Sequence, residues 1–317
     1  MMDAGGTADR VRPLFTVVVP FLNEEKALRA CLDSLRAQSF PASDFELVFV
    51  DNGSTDGSAA IVRAHGGVRL LSEERRDPYL ARNRGIAAAR GRYIVFLDAD
   101  CIAAGDWLEA MGREVRRDDP AVLVGYLAYP AGAGGLLRLF EAYEDFKLRR
   151  VYDGGLAEFR FGHAGNMAVR ADVFAELGPF PAMPVVGDSE ILHRVSARWP
   201  DAPIRYARSA RVVHAEVRDF RGCLAKLFEA GAHSETLARV SPYRMLPLAE
   251  RWRVFSECAA ALRFGPALRL ALSGTLLLGW VAFAAGRASR ALGIAAGRSP
   301  AVVPEKPANP GNRGCAR

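Results

Sequence analysis

Residues Tyr79–Cys101 read YLARNRGIAAARGRYIVFLDADC, and the order of signals in this stretch decides the fold. Tyr79 to Arg90 is rich in Ala, Leu and Arg and has no proline, which is the composition of a helix. Gly91 interrupts it, and Tyr93–Leu97 (YIVFL) follows as an apolar run of aromatic and branched residues, read as a buried strand. Two carboxylates, Asp98 and Asp100, stand directly after that strand. Helix, strand, acidic turn is part of a right-handed βαβ crossover. The turn then falls at the carboxyl edge of a parallel sheet, where such folds bind their ligands.

Towards the N-terminus the same alternation repeats. Leu14–Val19 (LFTVVV) reads as a strand ending at Pro20, and Glu46–Val50 (ELVFV) as a second ending at Asp51. Val68–Leu71 is a short third strand. Between the first two, a helix is expected from about Glu24 to Gln38, capped by Asn23, with Glu24 and Glu25 at its positive end and Leu28, Cys31, Leu32 and Leu35 as its apolar stripe. The loop NGSTDGS (52–58) follows the second strand, and Asp56 or Ser58 starts the next helix. The fold class is therefore α/β with a central, mostly parallel sheet. Its ligand-facing edge carries Pro20, Asp51, Asp98 and Asp100.

Towards the C-terminus the pattern loosens. A helix is expected over Leu136–Arg150, followed by two compact polar segments, GHAGNMAVR (162–170) and GDSEILHR (187–194). After Val213–His214 the chain reads as amphipathic helix. Tyr243 to Phe264 mixes Trp252 and Phe255 with Arg251, Arg253 and Arg263, as an interfacial helix does. Leu270–Gly286 then runs 17 residues without a charge. Extended to Ala267 it approaches the length that crosses hydrocarbon, and it exceeds an ordinary buried helix. Gly274, Gly279 and Gly286 suit a membrane helix better than one in water. Membrane association is expected. Arginines on both sides leave orientation undecided by charge.

Composition narrows the classes. The chain has 317 residues, 50% of them hydrophobic, which excludes wholesale disorder. Lys and Arg number 42 against 36 Asp and Glu, a net charge of +6. That admits phosphates or anionic lipid and does not call for nucleic acid. Cys31, Cys101, Cys223, Cys258 and Cys315 are odd in number and widely spaced, so neither a disulfide framework nor a zinc ribbon is indicated, and a reducing compartment is expected. No secretory pattern opens the sequence, so the catalytic part is expected at the cytoplasmic face of the membrane.

The chemistry-bearing residues follow from these positions. Asp98 and Asp100 suit a hard divalent cation, which neutralises a diphosphate; solvated loop carboxylates are the plain alternative. Asp51 is placed to accept hydrogen bonds from a base or ribose, or simply to close a turn. Arg82 is placed to reach phosphate. Asp188 and Glu190 open a helix, where a carboxylate serves as general base or as a dipole partner. His214 suits a third metal ligand. No G-x-G-x-x-G or G-x-x-x-x-G-K is present, which argues against a dehydrogenase and a P-loop enzyme.

Together, VVVPFLNEE, VDNGSTDGS, YLARNRGIAAARGRYIVFLDADC, GHAGNMAVR, GDSEILHR and VVH, in this order, resemble the family 2 glycosyltransferases of GT-A fold, over about Phe15 to Gly231. The resemblance implies transfer of a sugar from a nucleotide-diphosphate sugar to an acceptor hydroxyl with inversion, assisted by Mg²⁺ or Mn²⁺. It implies that Pro20, Phe21, Glu24, Asp51, Arg82 and Asp98 bind the donor and that Asp100 and His214 meet the metal. Asp188 would be the catalytic base, with Asn166 and Glu190 on the acceptor side. The acceptor would be a glycan or a lipid-linked sugar at the membrane. Two departures stand out: Gly187-Asp188 where many members have Glu-Asp, and Phe180-Pro181 where many have Phe-Asp. A sugar-1-phosphate nucleotidyltransferase is the nearest rival, but it would carry a glycine-rich basic loop where this chain has PFLNEE. A catalytically silent membrane scaffold of the same fold is the other. The expected layout is a flexible lead-in (1–12), a transferase domain (13–235, dividing into a donor half to 118 and an acceptor half), an amphipathic helical linker (236–266), a transmembrane or membrane-associated helix (267–290) and a disordered tail (291–317).

Overall fold

A computed structural model of the chain describes residues 12–182, 187–240 and 246–292. All of the expected lead-in but Arg12, and nearly all of the expected tail, lie outside these residues.

Alternating side chains on the first strands explain the layering. In β1 (Phe15–Phe21), Val18 faces one side and Val17 and Val19 the other. In β2 (Phe45–Asp51) and β4 (Tyr93–Leu97) the pattern repeats. Val48, Val50, Ile94 and Phe96 join Val18, while Phe49, Val95 and Leu97 join the opposite core. A sheet apolar on both faces must be covered on both. Helix α1 (Leu28–Arg36) and helix α4 (Trp107–Asp118) cover one face with Leu28, Leu32, Leu35, Trp107 and Met111. Helix α3 (Pro78–Ala88), α6 (Ala171–Leu177) and α7 (Gly187–Arg198) cover the other.

With β3 (Val68–Ser72), β5 (Cys101–Ala103), β6 (Val122–Ala128), β7 (Asn166–Arg170) and β8 (Ile204–His214), the sheet has eight strands in the order β3-β2-β1-β4-β7-β6-β8-β5. The first four are parallel, as expected. Strand β7 then inserts antiparallel between β4 and β6, so the second half is mixed. The short β5 pairs antiparallel with the end of β8, setting Cys101 opposite His214.

The first helix differs from expectation. It begins at Leu28, not Glu24, and Asn23 is no cap. Asn23 takes a left-handed φ of 57°, and its Oδ1 accepts the Thr55 N–H at 2.8 Å. The Glu24 N–H in turn donates to Ser58 Oγ at 2.8 Å. The loops after β1 and β2 thus clasp each other, and their side chains serve that clasp rather than a helix start. Helix α2 (Ser58–Arg63) leaves from the second of them.

Helix α5 (Gly135–Asp153) matches the expected 136–150 helix and extends it. Three helices end the described chain: α8 (Phe220–Val240), α9 (Leu248–Ala261) and α10 (Pro266–Ala291). Within the expected helical linker, α8 runs to Val240 and α9 covers Leu248–Ala261. Helices α8 and α10 meet backbone to backbone. A Cβ on Gly231 would collide with the Phe283 carbonyl, and one on Gly286 with that of Phe228. Helix α10 has 26 residues, a mean hydropathy of 1.6 in its most apolar window, and 17% of that window buried. By length and composition it can cross a membrane.

Candidate active site

A cavity of about 800 Å³ opens at the carboxyl ends of β1, β2 and β4. Pro20, Phe21, Glu24, Arg82, Asp98, Asp100, Asp188 and His214 line it. Eight sequence-predicted residues thus meet, although they span nearly 200 positions of chain.

Asp98 leaves the end of β4 and is held from behind. Arg82 Nη2 donates to Asp98 Oδ1 at 2.5 Å, and the Arg82 guanidinium lies 4.9 Å from the centre of the Tyr79 ring. Arg82 is buried. It reaches the cavity chiefly by orienting Asp98, a different task from clamping phosphate freely. Helix α3 aims it because Asp77 caps the helix, its Oδ1 accepting the N–H groups of Tyr79 (2.7 Å) and Leu80 (3.1 Å).

Asp100 and His214 are joined by the β5–β8 pairing. The Ala215 N–H donates to the Asp100 carbonyl at 3.0 Å, and His214 Nδ1 lies 3.5 Å from Asp100 Oδ2. Donor atoms of Asp100, Cys101 and His214 all fall within 4.8 Å of one another. His214 Nδ1 is buried without a hydrogen-bond partner, which is the condition of a nitrogen that a cation would satisfy. The Cys101 thiol is pushed well up by burial and stays protonated, so the set suits a hard cation better than a thiolate-loving one.

Burial, with Glu216, Asp100 and Asp98 nearby, raises Glu24 to about 7, while Lys226 pulls it back. Burial and Asp98 also raise Asp100, against His214. Crowded carboxylates of this kind are relieved by a divalent cation.

Asp188 stands in the first turn of α7. Its Oδ2 accepts the Ala164 N–H at 2.9 Å and its own N–H donates to Tyr79 Oη at 3.3 Å. Gly187 is required here, because a Cβ would lie 2.7 Å from the Tyr79 ring. That contact gives the Gly-Asp departure its physical reason. At the other departure, Phe180-Pro181, nothing in the structure explains Pro181, but its neighbour Phe180 is held firmly. Asn83 exchanges two hydrogen bonds with the Phe180 backbone, at 2.8 and 3.0 Å, and the Phe180 ring packs on Tyr79, Phe96 and Phe174.

Three expected site residues stand elsewhere. Asn166 is wholly buried, with its Oδ1 accepting Trp107 Nε1–H at 2.9 Å and its Nδ2 donating to the carbonyls of Tyr126 and Ala210. It pins the β6 bulge at Gly125/Tyr126 and offers nothing to an acceptor. Glu190 is buried and ion-paired with Arg194 at 2.8 Å, whose guanidinium ties the Leu177–Pro179 carbonyls. It faces away because α7 turns it roughly 200° from Asp188. Asp51 lies outside the lining and accepts the Ser54 N–H at 2.8 Å, so its visible work is to close the turn.

The cavity also gathers residues with no role marked in the sequence. His163 is one, its imidazole held neutral by burial despite the pull of Asp188. Arg76 and Lys226 add positive charge, and α5 contributes Glu141, Glu144 and Asp145. The α5 carboxylates read in sequence only as part of a charged helical stretch, and Lys226 as part of an amphipathic helix. Only the packing of α5 and α8 over the strand ends turns them inward.

Comparison with known proteins gives this geometry its class. Residues 16–178 match the family model described as glycosyl transferase family 2. The chain is 31% identical over 174 residues to the glycosyltransferase AglE of Haloferax volcanii, covering 53% of this chain and 56% of that protein. It is 27% identical over 277 residues to a PGL/p-HBAD biosynthesis glycosyltransferase of Mycobacterium bovis, covering 84% and 97%. The mannosyltransferase PcManGT of Pyrobaculum calidifontis, solved with GDP-Man and Mn²⁺, superimposes with a TM-score of 0.63 at 21% identity, over 88% of this chain and 87% of that one. The fold is thus the GT-A type that the motifs implied. The chain belongs to glycosyl transferase family 2.

Proposed function

We propose that this glycosyltransferase moves a sugar from a nucleotide-diphosphate donor to the hydroxyl of a membrane-borne glycan or lipid-linked acceptor, with inversion at the anomeric carbon. The observation that carries the reading is the meeting, in one strand-end cavity, of the Asp98–Asp100–His214 group with Asp188. Pro20, Phe21 and Glu24 flank the donor, and Arg82 holds Asp98 towards it. Bound between Asp100 and His214, Mg²⁺ or Mn²⁺ would neutralise the diphosphate leaving group. Asp188, anchored by the Ala164 N–H, takes the acceptor proton as the hydroxyl oxygen bonds to the anomeric carbon. The bond from that carbon to the diphosphate oxygen breaks in the same step, and the nucleoside diphosphate leaves.

The comparisons support this reading through proteins other than this one: PcManGT is solved with GDP-Man and Mn²⁺, and the mycobacterial relative is named for PGL/p-HBAD biosynthesis. Membrane association is supported by exposed Leu248, Trp252, Leu270, Leu277 and Trp280 on α9 and α10. The buried face of α10, with Leu272, Thr275, Gly279 and Gly286, packs on the domain, which favours a helix lying at the interface over one that crosses. Cys31, Cys101, Cys223 and Cys258 are free thiols, in keeping with the cytoplasmic face.

The test is Asp188→Asn with a panel of GDP- and UDP-sugars and Mn²⁺. The variant should keep donor binding by thermal shift and lose turnover. Turnover at the wild-type rate would remove Asp188 as the base. Failure of the native chain to hydrolyse any donor would favour the silent scaffold.

A further inference from the structure

A second hollow, of about 430 Å³, lies between α5, α9 and α10. Its lining is mostly apolar, with Phe159, Phe161, Leu276 and Phe283 among the walls and Ser273 on α10. It shares Phe140, Glu144 and Leu227 with the active-site cavity, so one wall separates and joins the two. The outer lip is formed by Leu248, Trp252 and Trp280, which are 83%, 67% and 55% exposed. The lip continues into the exposed apolar face of α10 at Leu277. Arg251 sits in the lining and Arg269 lies on α10, while Lys147 and Arg253 are ion-paired with Glu144 and Glu250.

We propose that this groove is the subsite for the hydrocarbon chain of the acceptor, an amphiphile with one apolar tail and a hydroxyl-bearing polar head. The inference rests on the glycosyl-transfer reading, since it takes the neighbouring cavity as the place where the head reacts. Three observations select this occupant. The shared residues Phe140, Glu144 and Leu227 set groove and cavity side by side, one side chain apart, so a single amphiphile can lay its tail in one and its head in the other. The acidic cavity side, with Glu144 on the boundary, accepts hydrogen bonds from sugar hydroxyls and repels an apolar chain. The lip is apolar and exposed at Leu248, Trp252 and Trp280, with Arg251 beside it, the chemistry of a surface resting on a bilayer, from which a tail enters without crossing water. Helix α8 contributes Leu227 to the boundary, and Gly279 on α10 gives it room, with a Cβ there only 3.2 Å from Leu227 Cδ1.

The full chain is titrated with ω-bromoalkyl β-glucosides from hexyl to dodecyl, each below its micellar concentration, while bromine quenching of tryptophan is followed. Trp252 and Trp280 border the groove and report a chain inside it. Saturable quenching is expected, with affinity rising about fourfold per methylene until the groove is full. Ser273→Phe should block the floor and flatten this dependence, and Leu248→Glu should weaken binding of every chain length. Both positions are exposed, so neither change empties the core. Affinity independent of chain length, or an unchanged slope in Ser273→Phe, overturns the proposal. Binding that weakens as protein concentration rises also overturns it, by showing that a second copy of the chain fills the groove. Donor hydrolysis with Mn²⁺ is measured on the same samples. Hydrolysis without chain-length dependence defeats the groove alone, and chain-length dependence without hydrolysis defeats the transfer reading alone.

Discussion

The two walls of the cavity are built by different rules. The wall proposed to face the donor, here the donor wall, is made at the ends of parallel strands, where Pro20, Asp98 and Asp100 sit within three residues of β1 or β4. The opposite wall comes from helices α5, α7 and α8 and the 162–165 loop, whose strands do not end there. At a strand end, position along the chain fixes position in space. On a helix it does not, since two residues of offset turn a side chain to the far face. Asp188 and Glu190 make the point within one turn of α7: one enters the cavity and the other is locked to Arg194.

That contrast can be broken first at Asp188. Asp188→Asn should lower kcat by roughly 10²–10⁴-fold, whereas Glu190→Gln should leave kcat within a few-fold and lower the melting temperature. Equal loss of kcat in both would erase the distinction between the two faces of α7.

Asn166 probes the buried side of the same wall. Asn166→Ala strands Trp107 Nε1 and two carbonyls, at about 1 kcal/mol or more each, so a loss of about 3 kcal/mol is expected in urea unfolding. A loss of acceptor affinity at unchanged stability would return Asn166 to the acceptor side. On the donor wall, His214→Ala should weaken Mn²⁺ binding by about 10–100-fold by calorimetry, and chelation should abolish turnover until Mn²⁺ is restored. Unchanged Mn²⁺ affinity would remove His214 from the metal.

The smallest effect concerns Glu24. Its carboxyl is raised to about 7 in the fold, chiefly by burial, against about 4.5 unfolded. Between those values the folded chain holds a proton that the unfolded chain has lost, so this group's contribution to stability falls as pH rises from about 4.5 to about 7. The metal-free wild type should therefore lose melting temperature relative to Glu24→Gln across that window. Parallel pH profiles would show that Glu24 is not crowded by its neighbours.

The donor half was legible because its strands are buried on both faces and therefore read as unbroken apolar runs. YIVFL announced β4, and the Asp98 and Asp100 that follow it had one edge to occupy. Asn23 misled because its signal, a short polar side chain before acidic residues, serves a loop clasp to Thr55 as readily as a helix start. Gly187 was legible as a departure and not as a cause, since its reason is the Tyr79 ring more than a hundred positions earlier. Lys226 and the α5 carboxylates carried no local sign at all, and His163 lay in the GHAGNMAVR motif without a role to mark it.

The sequence by itself determined the α/β alternation, the strand-end carboxylates and the ordered motifs that announce the family, because each depends on short-range periodicity. Tertiary structure alone decided that His214 meets Asp100, that Arg82 serves Asp98, that Asn166 and Glu190 are structural, and that an apolar groove adjoins the acidic cavity. Those outcomes depend on strand pairing and helix rotation between distant segments. The packing of the whole core settles these, and no local pattern records them.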